Sequence, residues 1–553
     1  MGRLHYGSGR RVQILRINEG IEFFTSLESL TYALVDSVDL SQNKALKILV
    51  CNSHTNYLKL PEDCKLDSLT CSTVVLESID INACKQLKNL CLKIKTTGVI
   101  LNDLPSLEQL SSIAYYSDGA SFQNLDLKNN KRLKRIVFTG AIGLMDIGLS
   151  GCEALEEFTP TGKNYALNLK GCKSLKSLAA DYAYSINLEG CVGLETFESR
   201  RIGNIDLSDC IRLKEIFIDS GDGVLDLSKN HALESITVYI RRQRQMCIRD
   251  RYNMTIKELK GSLYPNLRNL TYRSDAQPSS VDIQNCSALE SLYITSSLLT
   301  SLQFKGCTSL DNTRLEGNAG EVDVSDCPNL FLDCYGLTCL DFNKSIRGLK
   351  LYTTESFPGL DLSGCASLEH LEFYTYNPSA FLRLNGCQSL KYLKIYHLYQ
   401  DELSFADCGA LEEVTMEWVG IKELDLSEKT NLIYLLCSNM DIECLDTSNS
   451  PLLETLRCPS NSQLKMLNIK GNPSLQNLDC RSCALQSLDL SGNPALQYID
   501  CSSNYVLRTV DVRPCLSLFR FTGLDSVETV YVTAKQFSST TFNVHPNTRI
   551  LIQ

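Results

Sequence analysis

No stretch of 18 or more apolar residues occurs in the 553-residue chain, so no helix of bilayer-spanning length is encoded. Basic clusters are scarce as well. The 54 Lys and Arg against 64 Asp and Glu give a formal charge of -10, which argues against a general nucleic-acid or anionic-membrane surface. The six histidines (His5, His54, His231, His370, His397 and His545) form no H-E-x-x-H or triad-like grouping. Neither G-x-x-x-x-G-K-S/T nor G-x-S-x-G is found. Cys480-Arg481-Ser482-Cys483 is a lone C-x-x-C, whereas a zinc site needs about four ligands. These gaps exclude the common enzyme signatures, and the expectation is a non-enzymatic chain with no catalytic residues, no metal and no cofactor. The opening MGRLHYGSGRRVQILRINEG has no continuous apolar core of a secretory signal. No Pro/Gly/Ser linker divides the rest of the chain.

One phrase fills the chain, I/L-D/N-L-S-x-C-x-x-L-x-x-L, repeated about every 21 residues. Taking the cysteine or its substitute as a register mark, it falls at Asn43, Cys64, Cys84, Leu104, Asn130, Cys152, Cys172, Cys191, Cys210, Asn230 and Tyr264. It continues at Cys286, Cys307, Cys327, Ser345, Cys365, Cys387, Cys408, Lys429, Ser450, Asn472, Asn493 and Cys515. A fixed period of this length marks a solenoid, in which one repeat cannot bury its apolar face alone and stacking supplies the core.

The C-terminal copies carry a fuller pattern, Leu496-x-x-Ile499-x-Cys501-x-x-Asn504, preceded by Leu478-x-Cys480 and Leu456-x-Cys458. This resembles bacterial leucine-rich-repeat proteins of the internalin type that stack cysteines in ladders. The resemblance implies an α/β-type, right-handed solenoid with a parallel β-sheet on the concave face and a mostly irregular or short 3-10 convex side. Residues 1–37 would be an irregular N-terminal segment or partial repeat, 38–526 the solenoid, and 527–553 strands closing or continuing the sheet. From Asn130 to Cys408 the asparagine after the strand is mostly missing, so other groups must close that turn.

Between Asn230 and Tyr264 the marks stand much further apart than elsewhere, and removing Ile240 to Tyr252 restores the period. That stretch holds five arginines. It fits either a basic loop projecting from the solenoid or a string resembling translated sequencing-adapter sequence, and in both cases it should bulge from its own coil.

Thirteen of the 25 cysteines stand at a mark, and six more (Cys51, Cys71, Cys437, Cys458, Cys480 and Cys501) recur on the strand that follows one. Ligands or nucleophiles would gather in one place, whereas these repeat along an axis. Because Asn fills the same slot at 43, 130, 230, 472 and 493, the slot wants a small group that satisfies backbone, and free packing thiols are expected.

Positions five, seven and nine after a mark alternate outward on the strand. The section richest in aromatics and charges gives His370, Glu372, Tyr374, Tyr392, Lys394, Tyr396, Glu413, Glu417 and Tyr434, with Tyr399 and the single tryptophan, Trp418, at its edge. Aromatics among acids bury large area while keeping a polar handle, as contact surfaces do. These nine are the candidate ligand-binding residues, and removing a tyrosine here should leave stability unchanged. The expected function is a monomeric recognition scaffold for a protein or surface glycan. The resemblance implies an adhesin-like bacterial protein, extracellular or at the cell surface. The alternative is the targeting repeats of a larger enzyme or effector.

Overall fold

The computed structural model describes residues 11–14, 20–33, 37–51, 57–71, 81–92, 99–113, 124–139, 146–158, 165–180, 183–221, 223–240, 254–256, 259–274, 281–295, 301–317, 319–524 and 527–553. They fall into two units, Met1–Cys286 and Ser287–Gln553.

Each coil begins with the phrase itself. Its I/L-D/N-L part forms a short strand, and the Asp carboxylate then accepts the N–H of the Ser two residues on, as from Ser41 to Asp39 (2.9 Å), Ser208 to Asp206 (2.9 Å) and Ser363 to Asp361 (3.0 Å). That side-chain turn is why Asp and Ser recur together. In several coils the residue before the mark is a glycine in the left-handed region, as at Gly151 (φ 78°) and Gly364 (φ 83°), which bends the chain into the core without a Cβ penalty. The mark and the leucine three residues later are buried, and the chain then enters a main-sheet strand.

In the first unit the main sheet runs from Arg11–Ile14 through Ser29–Tyr32, Ile48–Cys51 and Ser68–Cys71 to Asn269–Ser274, every pairing parallel. Pairing thus begins ahead of Asn43, inside the segment read from sequence as irregular or a partial repeat. A second line of short strands forms on the other limb, its longest run being Val99–Ile100, Asn124–Asp126, Asp146–Gly148, Tyr165–Asn168 and Ala183–Asn187. Residues 241–252 lie outside the described residues. On either side of them Ser235–Ile240 pairs directly with Asn269–Ser274, so the main sheet keeps its register across the interruption.

In the second unit the main sheet includes Asn312–Glu316, Phe331–Phe342, Gly348–Thr353, His370–Tyr374, Tyr392–Tyr396, Glu413–Glu417 and Tyr434–Ser438, and it extends to Thr541–Val544. Among the described residues only two 3-10 turns and one helix, Ala534–Ser539, interrupt this all-strand pattern. The near absence of helix and the one main strand per coil agree with the sequence reading, and the short strands of the return limb add to it.

Inward positions are filled by Leu, Ile, Phe and Cys, with Leu371, Phe373, Leu393 and Ile395 fully buried. Each such side chain contributes about 1.5–3 kcal/mol of transfer free energy, so every coil is held by its neighbours. The mark slot is a polar ladder inside this core. Cys152, Cys172 and Cys191 each donate from Sγ to a carbonyl of the preceding coil at 3.2–3.3 Å, and Asn472 uses both amide hydrogens the same way at 2.7 Å. Cys and Asn are interchangeable there because either offers a small donor to an otherwise open carbonyl.

Three features depart from the sequence reading. Cys64 and Cys84 form a disulfide, with Cα atoms 4.7 Å apart, while the other described cysteines are thiols. Adjacent slots lie at bridging distance, so the spacing permits a cystine as well as two thiols. Ser345 is exposed, and Asn343, which donates to Ser325 O at 3.0 Å, marks that coil instead. Gln536, on the helix and secured by a capping box with Thr533, supplies a further rung by donating to Val512 O and Cys515 O at 2.7 and 2.9 Å.

The lone C-x-x-C is explained by two slots. Cys480 packs at the end of a strand, and Cys483 donates to Cys458 O at 3.1 Å from the position that Asn461 and Asn504 hold in neighbouring coils.

Candidate functional site

The nine candidate residues come together on the second unit's main sheet. Register pairs His370 with Tyr392, Glu413 and Tyr434, and Tyr374 with Tyr396 and Glu417, while Glu372 faces Lys394. Neighbouring strands lie about 4.8 Å apart, so these form three columns across four coils.

The outermost column on the strand-exit side is an aromatic stack. Tyr335, Tyr352, Tyr374 and Tyr396 lie one on the next with ring centroids 4.1, 4.3 and 4.3 Å apart and planes within 10° of parallel. Burial, followed by the neighbouring Tyr396, raises the Tyr374 phenol above its usual value. Tyr374 and Tyr396 are therefore partly buried partners in a stack, so removing them would also remove ring contacts. Glu417 ends the column and accepts the Ser438 hydroxyl at 3.3 Å.

The middle column alternates in charge: Arg314, Asp333, Lys350, Glu372 and Lys394 occupy consecutive strands. Glu372 is its hub, 3.3 Å from Lys350, 3.2 Å from Lys394 and 3.3 Å from His370 Nε2. Although it projects to the sheet face as expected, it is only 7% exposed, because three cationic or hydrogen-bonding side chains close over it. The His370 hydrogen bond, against the cost of burial and with both lysines adding, holds its carboxyl down at about 2. Asp333 shifts the other way, since burial outweighs Arg314 and Lys350. Thr415 follows Lys394 in this column and is buried, so the charged run stops there.

The third column is the most open. Tyr392 is 36% exposed, and Glu413 is exposed beside it. Tyr434 joins Arg457, Asp479, Tyr498, Asp500 and Arg520 along an open trough on the same face.

Sequence reasoning missed Tyr335, Tyr352, Lys350 and Asp333, although all four stand in these columns. The signal was there in the alternation of Phe331 to Tyr335 and Gly348 to Tyr352. The strand after Cys327 starts one residue early, so the fixed count falls on Leu332, Cys334 and Gly336 and skips Asp333 and Tyr335. The count from Ser345 does reach Lys350 and Tyr352, which lay outside the section chosen as richest. The coil that carries Phe331 round to Gly348 is shorter than the one that carries Gly348 round to His370.

Among the described residues no group of three or more His, Cys, Asp or Glu is placed to hold a metal ion, and no helix is long and apolar enough to cross a membrane.

The repeated phrase, the one main strand per coil and the cysteine ladder give this chain a parallel β-solenoid fold of the leucine-rich-repeat type. No family model matches its sequence, and no curated protein does. Among solved structures it is similar to the functional domain of InlJ from Listeria monocytogenes, which includes a cysteine ladder, at 20% identity and a TM-score of 0.40 over 66% of this chain and 70% of that one. It is also similar to YopM from Yersinia enterocolitica, at 15% identity and a TM-score of 0.42 over 83% of this chain and 91% of that one. A leucine-rich-repeat protein of Leptospira interrogans matches at 13% identity and a TM-score of 0.31 over 68% of this chain and 91% of that one. Likenesses of this degree concern the fold and not a ligand.

Proposed function

We propose that the chain is a non-enzymatic recognition scaffold that binds a protein partner across the main-sheet face of residues 287–553, centred on His370, Glu372, Tyr374, Tyr392, Lys394, Tyr396, Glu413, Glu417 and Tyr434. The observation that carries this reading is the preorganised face: a tyrosine stack beside a closed ion cluster, both fixed by strand register. A partner meeting it has little side-chain ordering to offset, which favours affinity. The exposed Tyr392 and Glu413 beside the buried Glu372 hub have the layout of a contact patch with an aromatic anchor.

An exterior, adhesin-like location belongs to the same proposal. The Cys64–Cys84 cystine suits an oxidising compartment, and burial raises the ladder thiols Cys152 and Cys191 to about 12 and 11, so they resist oxidation there.

A photo-crosslinking residue placed at Tyr392 tests the reading, with Tyr184 on the short-strand limb of the first unit as control. The expected result is a protein captured from Tyr392 and not from Tyr184, whose affinity falls by about 2 kcal/mol in Tyr392→Ala with Lys394→Ala. Equal capture at both positions, or an affinity that the double substitution leaves unchanged, refutes the face as the binding site.

A further inference from the structure

Where strands of the second unit leave the main sheet, one residue enters the left-handed region, and at Ser460, Ser482 and Ser503 its N–H bonds the next coil. In successive coils Asn439 (φ 54°), Ser460 (61°), Ser482 (54°) and Ser503 (56°) hold this position. Small polar residues suit it, because a short side chain can bond locally and relieves the Cβ clash. Two coils place His397 and Trp418 there instead, each at φ 59° and each donating its N–H at 3.1 Å, to Glu417 O and Ser438 O. A bulky ring in this backbone region costs on the order of 1 kcal/mol. The coil geometry does not demand it, since Asn or Ser serves in the next four coils.

The two rings lie nearly parallel, 12° apart, with centroids at 6.4 Å, so His397 flanks the indole without capping it. Trp418 nevertheless stays 49% exposed and Tyr399 53% exposed. Tyr399 stands beside Gly420, where a Cβ would come within 3.2 Å of the Tyr399 Cα, so the two turns pack backbone to backbone there. The turn that carries His397 and Tyr399 also exposes Asp401 and Glu402, the turn that carries Trp418 exposes Lys422 and Glu423, and the corresponding turn of the next coil exposes Asp441. An exposed π-face next to several anionic groups is complementary to a flat, delocalised cation. A guanidinium can stack on the ring and bond a carboxylate at the same time, whereas an ammonium is a compact, strongly hydrated charge. A neutral sugar would also stack on the ring and donate its hydroxyls to a carboxylate, and the cellohexaose titration below tells it apart from a cation.

We propose that this rim docks arginine side chains of a basic protein segment, the guanidinium lying on the open side of Trp418 and bonding to Asp401 or Asp441. The proposal rests on the reading of the chain as a recognition scaffold but uses residues outside the face assigned above.

Trp418 is the only tryptophan, so its emission reports on this rim alone. Hexa-arginine titrated into the full chain is expected to quench or shift that emission saturably. Hexa-lysine should act several-fold more weakly, and hexaglutamate and cellohexaose should have no effect. Asp401→Asn with Asp441→Asn, both at exposed positions, should weaken the hexa-arginine response about fivefold without changing the melting temperature. A response to cellohexaose but not to hexa-arginine, equal responses to hexa-arginine and hexa-lysine, or a hexa-arginine response untouched by the Asn substitutions would each overturn the proposal. The same titration on the Tyr392→Ala, Lys394→Ala chain separates the two readings, because an unchanged emission response there leaves the rim standing when the face fails.

Discussion

Tyr374 and Tyr396 stack face to face on neighbouring strands, ring centroids 4.3 Å apart and planes 6° from parallel. Two more tyrosines extend the stack to four rings on consecutive strands.

The stack makes a first prediction. Tyr352 contacts a ring on each side, at 4.1 and 4.3 Å, so Tyr352→Ala should cost about 1–3 kcal/mol while Tyr352→Phe stays within about 0.5 kcal/mol. Denaturant midpoints of both variants decide it. An Ala variant as stable as the parent would mean that the rings merely sit side by side.

Acid stability should track Glu372. Its folded carboxyl is held at about 2 against an ordinary 4.5, so its contribution is fully present above about pH 4.5 and is lost as pH falls through 2. The difference corresponds to roughly 3 kcal/mol, and the raised Asp333 offsets part of it, because its own effect has the opposite sign. Melting curves from pH 6 to pH 2 should therefore fall less steeply for Glu372→Gln than for the parent. Parallel curves would show that the ion cluster contributes nothing in acid.

Thiol chemistry should sort by exposure. In the native chain Cys339 and Cys444 are exposed and should react with a thiol reagent first, while the buried ladder stays silent. After denaturation without reductant most thiols should titrate, with Cys64 and Cys84 withheld as a cystine. A rapid native reaction of many thiols would contradict a packed ladder. Cys172→Asn should be tolerated because Asn makes the same donation in other coils, whereas Cys172→Lys should cost several kcal/mol, of the order expected for burying an unpaired charge.

Deleting Arg241 to Tyr252 should leave stability equal or higher. The strands on either side of the interruption already pair from Ser235↔Asn269 to Ile240↔Ser274, and a shorter connection lowers the loop entropy. Thermal melting of the deletion variant checks this, and a marked loss of folding would show that the segment supports its coil.

The ladder and the columns differ in how plainly the sequence announced them. Cys152, Cys172 and Cys191 could be placed from spacing alone, since one slot recurs with one requirement, a small donor facing a carbonyl. The patch from His370 to Tyr434 was equally accessible because its four coils are nearly equal in length. Tyr335 was not, because the strand after Cys327 starts one residue early and moves it off the counted positions. Nor could spacing show that Glu372 would be enclosed, that Gln536 would replace a cysteine as a rung, or that His397 and Trp418 would sit at left-handed positions.

The sequence by itself determined the coil, because an apolar face recurring about every 21 residues can be buried only against the next copy of itself. The tertiary structure alone decided which side chains share a column and what each one meets there. Those partners stand a whole coil apart in the chain, and whether Tyr352 finds Tyr335 or Lys350 finds Glu372 depends on the accumulated length of every turn between them.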